Sequence, residues 1–344
     1  MKTLLAAMQY DHGDKTRGLS YEYYNFFLPL RKVVEAVSLF DFMQIMHDRG
    51  RDEMNRLFLE TVKLKEPELV LVVPYTDQFI PDVIDEINRY STTVGYFFDD
   101  VWRVQYSCFW AGHFSYVTTS DIDGVRRFRK AGYDNAIYSP FACNIEVNRK
   151  RESSKIYDVS FVGGYHPHRE WYINHLRKSG IEVNVWGNGW KDGRIDQDRM
   201  VDVFNQSRIN LNLSNSISWE PRFMLWSFRR IGSLRALIYS FRSFINNDMK
   251  SREQVKARHF EINACGAFQL SYYVKGLEHC FQPEKEIKLY NSPRDLVNKI
   301  RYYLKHEDER EFIARCGLKR TLEDHSMQKR FLQIFKTVAV RNGG

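Results

Sequence analysis

An alternation constrains this chain more than any other feature. Short apolar runs at Thr3 to Met8, Leu69 to Val73, Thr93 to Phe98, Tyr116 to Thr119 and Ala136 to Tyr138 are separated by stretches long enough for a helix. Antiparallel strands need only a tight turn between them, whereas parallel strands need a crossover of about a dozen residues. The spacing therefore predicts a parallel sheet flanked by helices, an α/β domain. Asn148 to Lys155 is polar, lacks apolar periodicity and reads as a linker. A second series follows at Asp158 to Val162, Ile181 to Trp186, Arg208 to Leu213, Ala267 to Ser271 and Ile287 to Tyr290. The 344 residues thus divide into two α/β halves, expected to face each other across a cleft. Ligands of open parallel sheets sit beyond the carboxyl ends of the strands, so functional residues are sought just after each run.

Composition narrows the partners. A mean hydropathy of -0.49 beside 43% hydrophobic residues allows buried cores without a membrane bundle or a disordered chain. The clean apolar runs, such as Leu69 to Val73, fall far short of the roughly 20 residues a spanning helix needs. Met1 to Tyr10 reads as a strand and not as a signal peptide, so secretion is not expected. A formal charge of +8 and a pI near 9.1 suit anionic partners: phosphates, nucleic acid or an acidic membrane surface. No nucleic-acid motif accompanies the charge, and nucleic acid is set aside. Cys108, Cys143, Cys265, Cys280 and Cys316 are odd in number with no close pair, which argues against a disulfide framework or zinc ribbon and suits a reducing cytoplasm.

Several strand ends carry chemistry. Asp158 to Val162 runs into Gly163-Gly164-Tyr-His-Pro-His-Arg169 and then a helix beginning near Glu170. Glycines there let the backbone approach a phosphate, the helix start offers free N–H groups, and Arg169 adds a clamp; a tight turn explains the glycines equally well. His166 and His168 have no third ligand in view and read as solvent-facing loop histidines, not a metal pair. The turn Trp186-Gly187-Asn188-Gly189-Trp190 brings two indoles that either wall a sugar or base pocket or belong to the core. The segment Glu253 to Gly266 predicts a helix from near Lys256 to Gly266, with Arg258, Glu261 and Cys265 on one face and Phe260 and Ala264 toward the sheet. A cation at a helix start suits a diphosphate, and a carboxylate one turn on can accept two ribose hydroxyls. The bland alternative is a solvated surface Arg–Glu pair.

At this point the chain resembles a known family. Arg258-His-Phe-Glu-Ile-Asn-Ala-Cys-Gly-Ala267, Glu286-Ile with Tyr290, Tyr302-Tyr-Leu, and Glu323-Asp-His325 with Arg330 are similar to the C-terminal domain of the spore-maturation CgeB-like glycosyltransferases, within the glycosyl transferases group 1 superfamily. Arg17-Gly-Leu-Ser-Tyr-Glu22, Phe97-Phe-Asp-Asp-Val-Trp102 and Asp158-Val-Ser-Phe-Val-Gly163 extend the resemblance over nearly the whole chain. It implies a GT-B fold of two Rossmann-like domains: an acceptor domain over 1–147, a nucleotide-sugar domain over 156–322, and a terminal helix over 323–340 crossing back to the first. The implied reaction moves a sugar from a nucleoside-diphosphate donor, as co-substrate, to an acceptor hydroxyl, with no metal or other cofactor. Glu253 and Glu261 have the Glu-x7-Glu spacing of the related retaining enzymes. The resemblance gives Glu261 the donor ribose and Glu253 the donor sugar. It gives Arg258 and Lys256 the leaving diphosphate, with Arg169 and Gly163-Gly164 closing on it; Trp186, Gly187, Asn188, Gly189, Cys265 and Gly266 complete the donor side.

The acceptor side is set by strand ends. Asp11, His12 and Asp14 follow the first strand, with Gly18, Tyr21 and Glu22 in the family-like segment after them, and Asp99 and Asp100 end the strand near Thr93. Asp100 is the first choice for a general base; its alternative is a helix cap. Trp219 to Phe244, within an insertion at 216–250, carries Arg222, Arg229, Arg230, Arg235 and Arg242 among aromatics and suits either a membrane interface or a solvated hairpin over the second core. A helix begins at His306 and ends at Gly317, another runs from about Asp324 to Val338, and Asn342-Gly-Gly344 is expected to fray. The expected protein is a cytoplasmic glycosyltransferase, peripheral at the membrane's inner face if the insertion docks there. Its acceptor would be a glycan, lipid-linked or protein substrate in surface-glycan synthesis. The alternatives are a non-catalytic glycan- or membrane-binding protein of the same fold, or another GT-B reaction such as epimerisation or phosphorolysis.

Overall fold

The run Leu69-Val-Leu-Val72 is buried at every position, and a strand buried on both faces needs a layer of helices on each side. The computed structural model describes residues 1–215, 222–223, 225–226 and 253–342, and it supplies those layers in two units. Most of the basic aromatic insertion at 216–250, with Arg229, Arg230, Arg235 and Arg242, lies outside the described residues, as do the last two glycines.

The first unit comprises Met1–Asn144 and Ser326–Gly344. Its strands are β1 (Lys2–Ala6), β2 (Ala36–Phe40), β3 (Leu69–Val72), β4 (Thr92–Gly95), β5 (Tyr116–Thr119) and β6 (Ala136–Tyr138). They form one parallel sheet in the order β2-β1-β3-β4-β5-β6. Helices α1 (Leu28–Leu30), α2 (Phe42–Arg49), α3 (Arg51–Lys65), α4 (Pro81–Ile87), α5 (Asp100–Ala111) and α6 (Gly124–Lys130) connect them. Alternate residues of a strand face opposite ways, so Leu4 and Val70 join one buried cluster with Phe42, Phe58 and Trp110, while Leu5 and Leu71 join another with Phe26 and Tyr96. Strand β2 carried no signal: it is an edge strand on which only Phe40 is buried.

The second unit, Ile145–His325, holds β7 (Tyr157–Val162), β8 (Asn184–Trp186), β9 (Ser207–Asn212), β10 (Gln269–Tyr272) and β11 (Lys288–Tyr290). These too are parallel, in the order β11-β10-β9-β7-β8. Its helices are α7 (Pro167–Lys178), α8 (Gln197–Gln206), α9 (Ala257–Ala264), α10 (Leu277–Cys280), α11 (Pro293–Lys305) and α12 (Glu307–Asp324). Asn148 to Lys155 belongs to this unit. Gln197 donates to the Asn148 side chain (3.0 Å), and the Arg151 N–H donates to Asn205 (2.7 Å). Hydrogen bonds to α8, not apolar burial, hold it, which is why it reads as a linker. Helix α12 passes through Gly317 instead of stopping there; the glycine serves close packing, since a Cβ at that position would stand 2.5 Å from the Glu286 carbonyl oxygen.

The chain then returns to the first unit as α13 (Met327–Asn342). Met327, Phe331, Ile334 and Val338 form its buried stripe in the cluster containing Phe26, each contributing about 1.5–3 kcal/mol by leaving water. Among the described residues no helix is long and apolar enough to cross a membrane.

The strand orders fix where ligands belong. In each sheet the chain leaves its first strand to one side and then crosses to the other, placing a switch point between β1 and β3 and another between β7 and β9. The crevice at the carboxyl end of such a point is where α/β sheets bind ligands.

Candidate functional site

At the β7 exit two glycine-bearing turns are laced together. The Gly163 N–H donates to the Trp186 carbonyl (2.9 Å), the Tyr165 N–H to that of Asn188 (2.7 Å), and the Trp190 indole to that of Gly163 (2.8 Å). Gly187 adopts φ 143°, and a Cβ there would lie 2.1 Å from the Gly163 oxygen. Turn-to-turn packing therefore accounts for Gly187 and, with Tyr165 against it, for Gly189. Gly164 is open, with only the Asn188 carbonyl 3.9 Å from where its Cβ would be. Trp186 is half-buried, edge-on to Tyr157 at 5.2 Å and packed on the α8 cluster, so one side of the indole belongs to the core.

Arg169, in the first turn of α7, spans the switch point. Its Nε donates to the Leu213 carbonyl beyond β9 (3.0 Å) and its Nη1 to the Gly164 carbonyl beyond β7 (2.7 Å), over the Phe161 ring. Burial brings its pKa down to about 10. His166 caps α7 by accepting the His168 N–H (3.2 Å). Contrary to the solvent-facing expectation, His168 is buried among Trp171, Tyr172 and Phe223. Burial holds both histidines at about 4, hence neutral.

Helix α9 starts where the sequence indicated, with Lys256 as its N-cap residue. The Lys256 ammonium donates to the Asn215 side chain just past β9 and to Glu253 Oε2 (3.2 Å). The Tyr272 hydroxyl at the end of β10 is pushed well above its usual range by burial and the adjacent Glu253 carboxylate. His259 accepts the Lys256 N–H (3.1 Å), and burial holds it at about 4. Glu253, Lys256, Arg169 and Tyr272 thus form one cluster at the carboxyl ends of β7, β9 and β10.

One turn on, Arg258 Nη1 donates to Glu261 Oε2 at 2.6 Å, with the guanidinium over the Phe204 ring and against the Met200 sulfur. The pair is not solvated: the Glu261 side chain is 5% exposed, that of Arg258 25%. Two donor-side residues have other roles. Cys265 faces the cluster of Met200, Phe204 and Val162, where burial pushes its thiol up. Gly266, at φ 62°, ends α9: its N–H reaches the Asn263 carbonyl, and that of Ala267 the Ile262 carbonyl, the Schellman arrangement. The helix is buried all round, so Phe260 packs on Phe281 and His325 while Ile262 joins the α8 cluster.

In the first unit Asp100 is not presented to a substrate. It is 2% exposed and accepts hydrogen bonds from Thr119 Oγ1, Ser120 Oγ (3.0 Å) and the Ser120 N–H (3.2 Å). It ties the start of α5 to the end of β5, and burial raises it to about 6. Asp14 caps the turn Lys15–Arg17 by accepting from the Thr16 N–H and hydroxyl, the contacts that hold its carboxyl low, and Gly18 ends that turn in the open. Asp11 pairs with Arg17 (2.7 Å), His12 lies edge-on to Tyr75, and Tyr21 packs on Phe26 and Phe98. Glu22 and Asp99 share a small cavity with Met8, Tyr75, Arg103 and Tyr106. Tyr75, Tyr272 and Asn215 were missed by sequence reasoning, although each lies at or just past a strand's carboxyl end, where functional residues were sought.

Residues 169–336 match the family described as glycosyl transferase-like. No curated protein matches the chain. Among solved structures it is similar to Anabaena HepE, determined with UDP-glucose, at TM-score 0.60 and 12% identity, covering 99% of this chain and 100% of that one. It is similar also to a sucrose-phosphate synthase from Thermosynechococcus elongatus (0.62, 11%, 99% of each) and to a glycosyltransferase from Rickettsia africae ESF-5 (0.60, 8%, 98% of each). The fold is GT-B, with two Rossmann-like parallel-sheet units.

Proposed function

We propose that the chain is a metal-independent glycosyltransferase whose second unit holds a nucleoside-diphosphate sugar. The observation that carries this reading is the grouping of Arg169, Lys256 and Arg258 around the β7–β9 switch point, with Glu261 one turn along α9. As the bond between the anomeric carbon and the diphosphate oxygen breaks, the leaving group takes the electron pair and its charge grows. Fixed cations at that oxygen favour the transition state over the ground state. Lys256 and Arg258 are assigned the diphosphate, Glu261 the ribose hydroxyls and Glu253 the sugar. Arg169 positions the two turns, since its Nε and Nη1 are already given to carbonyls.

The first unit is assigned the acceptor, a glycan, lipid-linked or protein hydroxyl, in surface-glycan synthesis by a CgeB-like enzyme. Five free thiols suit the reducing cytoplasm, and the basic insertion suits the inner face of the membrane. A thermal-shift screen with nucleoside diphosphates and their sugars tests the reading, UDP and UDP-glucose first, because HepE was determined with UDP-glucose. Binding raises Tm with the logarithm of ligand over Kd. No shift with any nucleotide would leave instead a protein that binds glycan or membrane without turnover.

A further inference from the structure

A small cavity of the first unit lies at the β1–β3 switch point. Met8 follows β1, Tyr75 follows β3, Asp99, Arg103 and Tyr106 come from the β4 exit and α5, and Glu22 closes it from the helical segment after Ser20. A wide π turn over Tyr23–Phe27 follows Glu22, a feature that recurs where a helix presents a side chain for function. About 60 Å³ of free volume admits a hydroxymethyl or hydroxyl group of a larger molecule but not a whole sugar.

We propose that this cavity receives the attacking hydroxyl of the acceptor and that Glu22 is the base that takes its proton. The assignment rests on the glycosyltransferase reading above. The proton passes from the hydroxyl to the Glu22 carboxylate. An oxygen lone pair then forms the bond to the anomeric carbon, while the nucleoside diphosphate leaves with the electrons of the bond that breaks. Burial raises Glu22 to about 7, against the Ser20 hydroxyl and its own N–H, which hold the carboxylate, and with the Asp11 carboxylate raising it further. Asp11 is itself paired with Arg17. The other charged or titratable groups at the cavity are Asp99, Arg103, Tyr75 and Tyr106. Arg103 donates to the Tyr75 carbonyl (3.0 Å) and lies over the Tyr106 ring, whose hydroxyl donates to the Thr76 carbonyl. A base poised near neutral pH is the form general-base catalysis favours. Asp100, held by three hydrogen bonds at 2% exposure, cannot serve.

The test uses the full chain with Glu22→Gln and Glu22→Asp, methyl glycosides as hydroxyl probes and UDP-glucose as donor probe. Saturation-transfer NMR reads glycoside contact without turnover. The expected result is contact with the wild type about tenfold stronger at pH 8 than at pH 5.5, and no such difference in Glu22→Gln. UDP-glucose turnover onto the glycoside that binds should fall about 10²–10⁴-fold in Glu22→Gln and recover in part in Glu22→Asp, with the UDP-induced thermal shift equal in all three. Glu22→Gln with the wild-type pH dependence, or a wild type that no glycoside contacts, overturns the assignment. If UDP fails to shift the wild type while the glycoside arm behaves as stated, the donor reading fails and the hydroxyl site stands. Should Glu22→Gln not fold, the wild-type pH profile and Glu22→Asp carry the test.

Discussion

Arg169 and Gly164 are joined across the turn that ends β7, Nη1 to carbonyl oxygen at 2.7 Å, while Nε of the same guanidinium holds the Leu213 carbonyl beyond β9. One planar fork thus sets the spacing of the two strand exits that flank the switch point. A lysine cannot reproduce two donors in a fixed plane. Arg169→Lys is expected to lose one or both bonds at about 1.5–3 kcal/mol each, read by urea unfolding, and to shrink the UDP-induced thermal shift. A lysine variant that keeps both values would show that the fork does not position the site.

Arg258 and Glu261 predict a separation of stability from binding. Arg258→Ala leaves a carboxylate that is 5% exposed without its cation. Breaking a fully buried pair costs about 3–5 kcal/mol; with Arg258 a quarter exposed, about 1–3 is expected. Glu261→Gln in the same chain removes the stranded charge and should restore most of the stability. UDP binding should stay lost in both, and turnover should fall about 10²–10³-fold, as for one missing electrostatic donor. A double variant that recovers UDP binding along with its Tm would make the pair structural only.

Asp100 makes stability depend on pH. Its folded pKa, about 6, lies above the usual carboxylate value. A carboxyl raised by folding stabilises the protein fully while protonated, below about pH 4, and that contribution is lost as pH rises through 6. Relative to Asp100→Asn, the wild type should lose about 2–3 kcal/mol between pH 4 and 7. Glu22, raised to about 7, pushes in the same direction and extends the slope upward. Tm curves of the wild type and Asp100→Asn at pH 4 to 8 check this; parallel curves would contradict it.

The fold was readable where burial is two-sided. Ten strands announce themselves as apolar runs, whereas β2, fully buried only at Phe40, does not. The donor side was readable where local spacing decides: Lys256, Arg258 and Glu261 stand as a helix of that start places them. Where a residue's role is set by a distant partner, sequence order misleads. Asp100 sits at a strand exit but is captured by Thr119 and Ser120 at the end of the next strand. Arg169 has the position of a phosphate clamp yet gives two donors to carbonyls five and 44 residues away. Glu22 stood among six acceptor-side neighbours, and only the convergence of β1, β3 and α5 separates it from Asp14, which does no more than cap a turn.

Gly187 and Gly18 offer a matched pair of substitutions. Both have positive φ, 143° and 80°, so alanine strains the backbone at either, by roughly 1–3 kcal/mol. At Gly18 nothing lies within 4 Å of the added Cβ, and strain is the whole cost. At Gly187 the Cβ would stand 2.1 Å from the Gly163 oxygen, so the β8 turn must also back away from the β7 turn. That movement releases the hydrogen bond from the Gly163 N–H to Trp186 and displaces Gly164, which Arg169 holds. Gly187→Ala is therefore expected to cost at least about 1–3 kcal/mol more than Gly18→Ala in urea unfolding, the range for overpacking a filled site. It should also abolish the UDP-induced thermal shift, which Gly18→Ala leaves intact. Equal losses in the two variants, with UDP binding retained in both, would mean that the β7 and β8 turns do not build the nucleotide seat together.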